Sequence, residues 1–156
     1  MTIFALEDIR SVYNVGSIFR SGEGFGFRDF ALIGITPTPQ DKKGQKRKDF
    51  HKTALGAEDV VAWDYFETTE ELLEKYPDFE LISLEMRPSA QDISSLKEIY
   101  DPKRNYIVVF GSEVDGVRDY TLSRSKHVIK IPMSGTKESF NVSVTASICM
   151  YVLQSI

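Results

Sequence analysis

The sequence predicts an α/β fold with a mostly parallel sheet flanked by helices, in a single domain over residues 1–156. Three observations predict it. Phe30–Ile35 (FALIGI) and Asn105–Phe110 (NYIVVF) are apolar runs of the kind found in strands buried on both faces. Strand-like and helix-like segments alternate at a spacing that calls for crossover connections. The chain has 156 residues, 42% hydrophobic and 27% charged, an ordinary composition for one globular domain.

The elements follow in order. Thr2–Leu6 is short and β-prone, and Val15–Gly24 forms a turn or helix despite its glycines. Phe30–Ile35 is a strand bounded by Pro37 and Pro39, and Val60–Asp64 is another. Thr68 caps a helix over Thr69–Tyr76, with Glu70, Glu71 and Glu74 near its start and Pro77 beyond its end. Glu80–Leu84, Asn105–Phe110 and His127–Ile131 are further strands, and Asn141–Gln154 is the last helix. Apolar residues occupy more than one face of that helix, so it is deeply buried or joins two subunits.

Composition excludes several classes. There is no apolar run near the roughly 18 residues of a membrane span. Acid at Glu7 and Asp8 comes too early for a signal peptide. One cysteine, Cys149, allows no internal disulfide and fits a reducing, cytoplasmic setting. His51 and His127 lie far apart, and no cluster has metal-ligand spacing, so no metal site is expected. The formal charge of −4 gives nucleic-acid binding no global support. Basic residues would have to be concentrated locally, as Lys42, Lys43, Lys46, Arg47, Lys48 and Lys52 are. That segment is either a solvated loop or an RNA grip, in which Phe50 and His51 could stack on a splayed base.

In parallel sheets ligands bind beyond the carboxyl ends of strands. Three segments carry polar residues in such places. In the first, Asn14 to Gly26, the Gly22, Gly24 and Gly26 spacing fails a dinucleotide fingerprint, which must follow a strand and open a helix. Those glycines read as a helix end, which leaves Asn14 and Arg20 unexplained. In the second, Phe110 to Val117, Gly111 allows a ligand close to the backbone. Glu113 there is a surface carboxylate, the usual case, or a charge at a helix N-terminus. In the third, Ile131 to Val144, Ser139 or Asn141 reads as an N-cap.

Together these segments resemble the three motifs of the SpoU/TrmH RNA 2′-O-ribose methyltransferases of the SPOUT superfamily: N-V-G-x-x-x-R, F-G-x-E-x-x-G-V and I-P-M-x-G-x-x-x-S-F-N-V-S-V. The resemblance covers nearly the whole chain and departs at Phe140, where leucine is common. It implies a C-terminal deep trefoil knot, S-adenosylmethionine as cofactor, and a homodimer in which both chains complete each site. It implies cofactor contacts at Leu84, Glu85, Phe110, Gly111, Ile131, Met133, Ser139 and Phe140. It gives Arg20 the role of base in methyl transfer, surrounded by Asn14, Glu113, Ser139 and Asn141. A guanidinium is a poor base near neutral pH, so Arg20 is either strongly perturbed or grips an RNA phosphate and orients the hydroxyl. Thr53–Ala57 resembles members that act on tRNA, so tRNA is expected ahead of rRNA. The family's usual separate substrate domain is not expected in this chain. Two other readings compete. A non-catalytic knotted RNA-binding protein is disfavoured by the retention of Arg20, Glu113, Ser139 and Asn141. Another nucleotide-binding α/β enzyme is disfavoured by the missing phosphate loop.

Overall fold

The computed structural model describes residues 1–156. Its strands are β1 (Thr2–Glu7), β2 (Asp29–Ile33), β3 (Ala62–Phe66), β4 (Glu80–Leu84), β5 (Gln91–Asp92), β6 (Tyr106–Phe110) and β7 (His127–Lys130). They form one sheet in the order β3-β2-β1-β6-β4-β7-β5, with every neighbouring pair parallel. The helices are α1 (Val12–Gly24), α2 (Lys48–Ala54), α3 (Thr69–Lys75), α4 (Leu96–Ile99), α5 (Asp119–Arg124) and α6 (Val142–Gln154).

Side chains alternate across the sheet, so each strand feeds two cores. Phe4, Leu6, Phe30, Leu32, Val108 and Phe110 pack on one face under α1, α2 and α6. Ile3, Ala5, Ala31, Ile33, Ile107 and Val109 pack on the other, where Leu72 of α3 and Leu122 of α5 cover them. The NYIVVF run is the central strand, and all of β6 is buried between β1 and β4. In α1, Gly16 has no room for a Cβ, because Thr53 and the Phe50 carbonyl of α2 press against it.

Several expectations shift. The second strand stops at Ile33 because Gly34, at φ 64°, turns the chain. The third starts at Ala62, since a 3-10 turn at Ala57–Asp59 consumes Val60. The last strand ends at Lys130, and the Thr68-capped helix ends at Lys75. The basic segment is a loop only as far as Arg47, because Lys48 onward folds into α2. That overturns the stacking role expected of Phe50. It is fully buried and meets the Phe19 ring edge-on at 5.2 Å. His51 is engaged by Glu58 (2.5 Å).

Helix α6 buries Ala146, Cys149, Met150 and Leu153 and leaves Val144 and Tyr151 exposed. Burial pushes the Cys149 thiol up to about 12, so it is an inert packing group. Strand β7 sits between β4 and β5, which residues 85–90 join. That connection therefore passes over the carboxyl end of β7, where the chain leaves the sheet for α6. No helix is long and apolar enough to cross a membrane.

Candidate functional site

A cleft of about 420 Å³ opens at the carboxyl ends of β4, β6 and β7. Its apolar wall includes Leu84, Met86, Phe110, Ile129, Ile131 and Phe140, and its polar rim includes Ser139, Asn141 and Thr145. Glu85, Glu113 and Asp115 add carboxylates. Of the expected cofactor residues, Leu84, Glu85, Phe110, Gly111, Ile131, Ser139 and Phe140 line this cleft. Met133 does not. It lies half-buried in the loop that leads away from β7. No group of three or more His, Cys, Asp and Glu side chains is placed to hold a metal ion.

One wall of the cleft is a tight turn. Ser112 and Gly116 exchange backbone hydrogen bonds of 3.0 and 3.1 Å, and the Ser112 hydroxyl accepts from the N–H groups of Val114 and Asp115. This corrects the reason for Gly111. A Cβ there would collide with the Gly116–Val117 backbone, so the glycine makes room for the turn and not directly for a ligand. Glu85 is likewise committed. Its carboxylate sits beneath Gly116, whose φ is 70°, and accepts the Val117 N–H at 2.7 Å.

At the tip of the turn, Glu113 reaches the start of α1. It accepts from the backbone N–H of Arg10 (2.9 Å) and of Ser11 (3.2 Å), and from Asn14 Nδ2 (2.8 Å). Asn141 Nδ2 donates to Asn14 Oδ1 at 3.2 Å. Asn141 also caps α6 by accepting the Ser143 N–H at 2.9 Å, so capping and membership of the site coexist in one residue. Partial burial resists ionisation of Glu113, but the Arg10 N–H, the Asn14 amide and the Ser11 N–H outweigh it. They hold its carboxyl below the usual carboxylate range.

Arg20 is not in this cluster. It lies six residues beyond Asn14 on α1, about 9 Å along the axis and on another face. There it lines a shallow depression with Ser17, Ser21, Gly24, Phe25, Lys52 and Thr53. The expectation that Asn14, Glu113, Ser139 and Asn141 surround it does not hold within one chain. Arg20 and Lys52 make no ion pair, nor do Lys42, Lys43 and Lys48. Lys46 and Arg47, by contrast, are held by Asp59 (2.6 Å) and Asp49 (2.7 Å). Two residues escaped the sequence reading. Glu7, fully buried, accepts from the hydroxyls of Thr69 and Thr121 and from the Arg118 N–H. Asp8 next to it, at φ 54°, pairs with Arg118. Their partners are far away in sequence, and no local pattern announces them.

The fold and cleft define a parallel-sheet α/β protein whose site is built from three loops at the carboxyl ends of its strands. The SpoU rRNA Methylase family model matches residues 1–151, and the chain belongs to that family. It is 28% identical over 149 residues to the 23S rRNA (guanosine-2′-O-)-methyltransferase RlmB of Nitrosomonas europaea, covering 96% of this chain and 54% of that protein. It is 24% identical over 152 residues to the tRNA (guanosine(18)-2′-O)-methyltransferase of Borreliella burgdorferi, covering 96% of this chain and 64% of that one. The AdoMet-bound rRNA methyltransferase of Sinorhizobium meliloti shares the fold, with a TM-score of 0.84 at 17% identity over 99% of this chain and 56% of the other. The chain thus spans little more than half the length of the RlmB relatives it matches from Nitrosomonas europaea, Coxiella burnetii and Bordetella pertussis.

The hydrogen bonds to Glu113 predict a specific pH dependence. A folded-state pKa below the unfolded value gives stability that is present above the unfolded pKa and lost as pH falls through the folded one. Glu113→Gln should therefore be less stable than wild type at about pH 6, and the gap should narrow by about pH 3. Urea titrations of both proteins at the two pH values check this.

Proposed function

We propose that this chain transfers a methyl group from S-adenosylmethionine to a ribose 2′-hydroxyl of RNA. The observation that carries the reading is the convergence of Glu113, Asn14 and Asn141 at the mouth of the cleft. The residues present suit the cofactor. The volume lies within the usual range for small-molecule sites, apolar side chains can enclose a ring, and carboxylates suit a cationic sulfonium. The cofactor supplies a methyl group on a leaving group that is already activated.

The chain's own task is to hold the 2′-oxygen behind that methyl while the hydroxyl loses its proton. Positioning of this kind is worth roughly 7–11 kcal/mol of barrier. We assign Arg20, with Lys52 beside it, to an RNA phosphate. Arg20's planar fork of donors matches phosphate oxygens. The distance of Arg20 from the cleft of its own chain supports a dimer paired through α1 and α6. There Arg20 of one protomer would serve the cleft of its partner. The exposed Val144 and Tyr151 of α6, with Phe25 just past α1 against Tyr151, offer the apolar surface for that pairing. We also infer that the segment after β7 threads beneath residues 85–90 as a trefoil knot, which the strand order β4-β7-β5 supports. Among RNA classes we infer tRNA, on the resemblance at Thr53–Ala57. Mapping 2′-O-methyl sites in tRNA and rRNA with and without the protein decides between them.

Three outcomes are expected. Arg20→Ala should lose most single-turnover methyl transfer, about a hundredfold by the scale of a misplaced substrate, with S-adenosylhomocysteine affinity nearly unchanged. Loss of affinity with the rate retained would reverse both assignments. Sedimentation at micromolar concentration should give twice the 17.7 kDa chain mass, and an active monomer overturns the pairing. Replacing the three unpaired residues Lys42, Lys43 and Lys48 by alanine should flatten the slope of log RNA affinity against log salt by up to about 2 units. The same change at the ion-paired Lys46 and Arg47 should do less. Filter binding over a salt series reads both.

A further inference from the structure

A polar seam leaves the cleft and runs between α1 and α6. Glu113 accepts from Asn14, and Asn14 accepts from Asn141, at 2.8 and 3.2 Å. The Ser143 hydroxyl donates to Asn141 Oδ1 at 2.7 Å. One turn on, the Ser147 hydroxyl donates to the Ser143 carbonyl at 2.7 Å and lies 2.7 Å from the Ser21 hydroxyl. With the Ser147 proton committed to that carbonyl, Ser21 is the donor in the last bond. Ser21 follows Arg20 in the chain and lines the same depression.

Around this seam the contact between the helices is apolar. Val15, Ile18 and Phe19 of α1 and Ala146, Cys149 and Met150 of α6 belong to one core cluster. Apolar contacts are non-directional and set no particular register of donors and acceptors. A half-buried hydroxyl pair does, because a slip leaves donors and acceptors without partners. The Ser21–Ser147 bond is therefore the contact best suited to fix the turn of α1 that carries Arg20. Neither serine lines the cofactor cleft.

We propose that Ser21 and Ser147 are positioning residues, and that their hydrogen bond ties the cofactor cleft, through Asn14, Asn141 and Ser143, to the angle at which α1 presents Arg20. This rests on the proposed roles of the cleft and of Arg20. In the proposed dimer the seam would link the cofactor site of one protomer to the arginine that serves the other.

Hydrogen–deuterium exchange with and without S-adenosylhomocysteine tests it without RNA. In wild type the ligand should slow exchange at residues 17–24. In Ser21→Ala and in Ser147→Ala that protection should be lost, while calorimetric affinity for the ligand stays within about twofold of wild type. Ser147→Thr, which keeps the hydroxyl, should restore the protection. Single-turnover methyl transfer to total RNA should fall about three- to tenfold in either alanine variant, the scale of one hydrogen bond. The double variant should fall no further, since both changes remove the same bond. Protection retained in Ser147→Ala overturns the proposal. So does a loss of ligand affinity that parallels the loss of protection, which would place the serines in the folding of the cleft. If wild type binds the ligand but methylates no RNA, the proposed function fails, and the exchange result alone then judges the seam.

Discussion

One carboxylate, that of Glu113, holds the carboxyl end of β6 against the start of α1. A parallel sheet buried on both faces leaves its unpaired polar groups at the strand ends, so the loops there must find partners among themselves. Glu113 answers the open N–H groups of Arg10 and Ser11 at the positive end of α1, where a negative charge is favourable. The same contact closes one wall of the cleft and holds the start of α1, which the Ser11 hydroxyl caps by accepting the Asn14 N–H. Asn14, one turn into α1, takes its place from that anchor.

Glu113 is one of several acids used in this way. Glu7 satisfies the hydroxyls of Thr69 and Thr121 and the Arg118 N–H, and Glu85 satisfies the Val117 N–H. Each of these carboxylates faces backbone or hydroxyl donors inside the molecule. They contribute to a formal charge of −4 without making the face that carries Arg20 and Lys52 acidic. Net charge is therefore a poor guide to partners here. Which cations remain unpaired is a better one.

Six of the seven strands and helices α1, α3 and α6 were legible because period and caps are local, whereas the two-residue β5 and the short α4 and α5 are too brief to show a period. FALIGI, NYIVVF and the Thr68 cap each carry their own signal within a few residues. Short helix α2 was hidden by its charges, since only Phe50 and Ala54 mark its buried side. The site was legible as three segments, and the cleft unites them. The purpose of Gly111 was not legible, because the atoms that require it belong to Gly116 and Val117 folding back. Glu7 was not legible either. Its partners lie 62 and 114 residues away, and nothing near Leu6 distinguishes a buried acid from the first residue of a turn.

The arrangement solves an electrostatic problem set by the proposed ligands. A sulfonium is cationic and a phosphodiester anionic, yet methyl transfer needs both close to one oxygen. The carboxylates of Glu85, Glu113 and Asp115 stand at the cleft, and Arg20 and Lys52 stand apart from them on α1 and α2. If the two sets touched, they would pair and neutralise each other, as Lys46 does with Asp59. Neutral groups fill the space between: Asn14, Asn141, Ser143, Ser147 and Ser21. Amides and hydroxyls can donate and accept at once, so they transmit geometry from helix to helix without adding charge. A lysine or aspartate in the seam would bind one end and repel the other. The neutrality of the connection thus keeps the cleft carboxylates and Arg20 of one chain from pairing, and leaves each set free for its own proposed ligand.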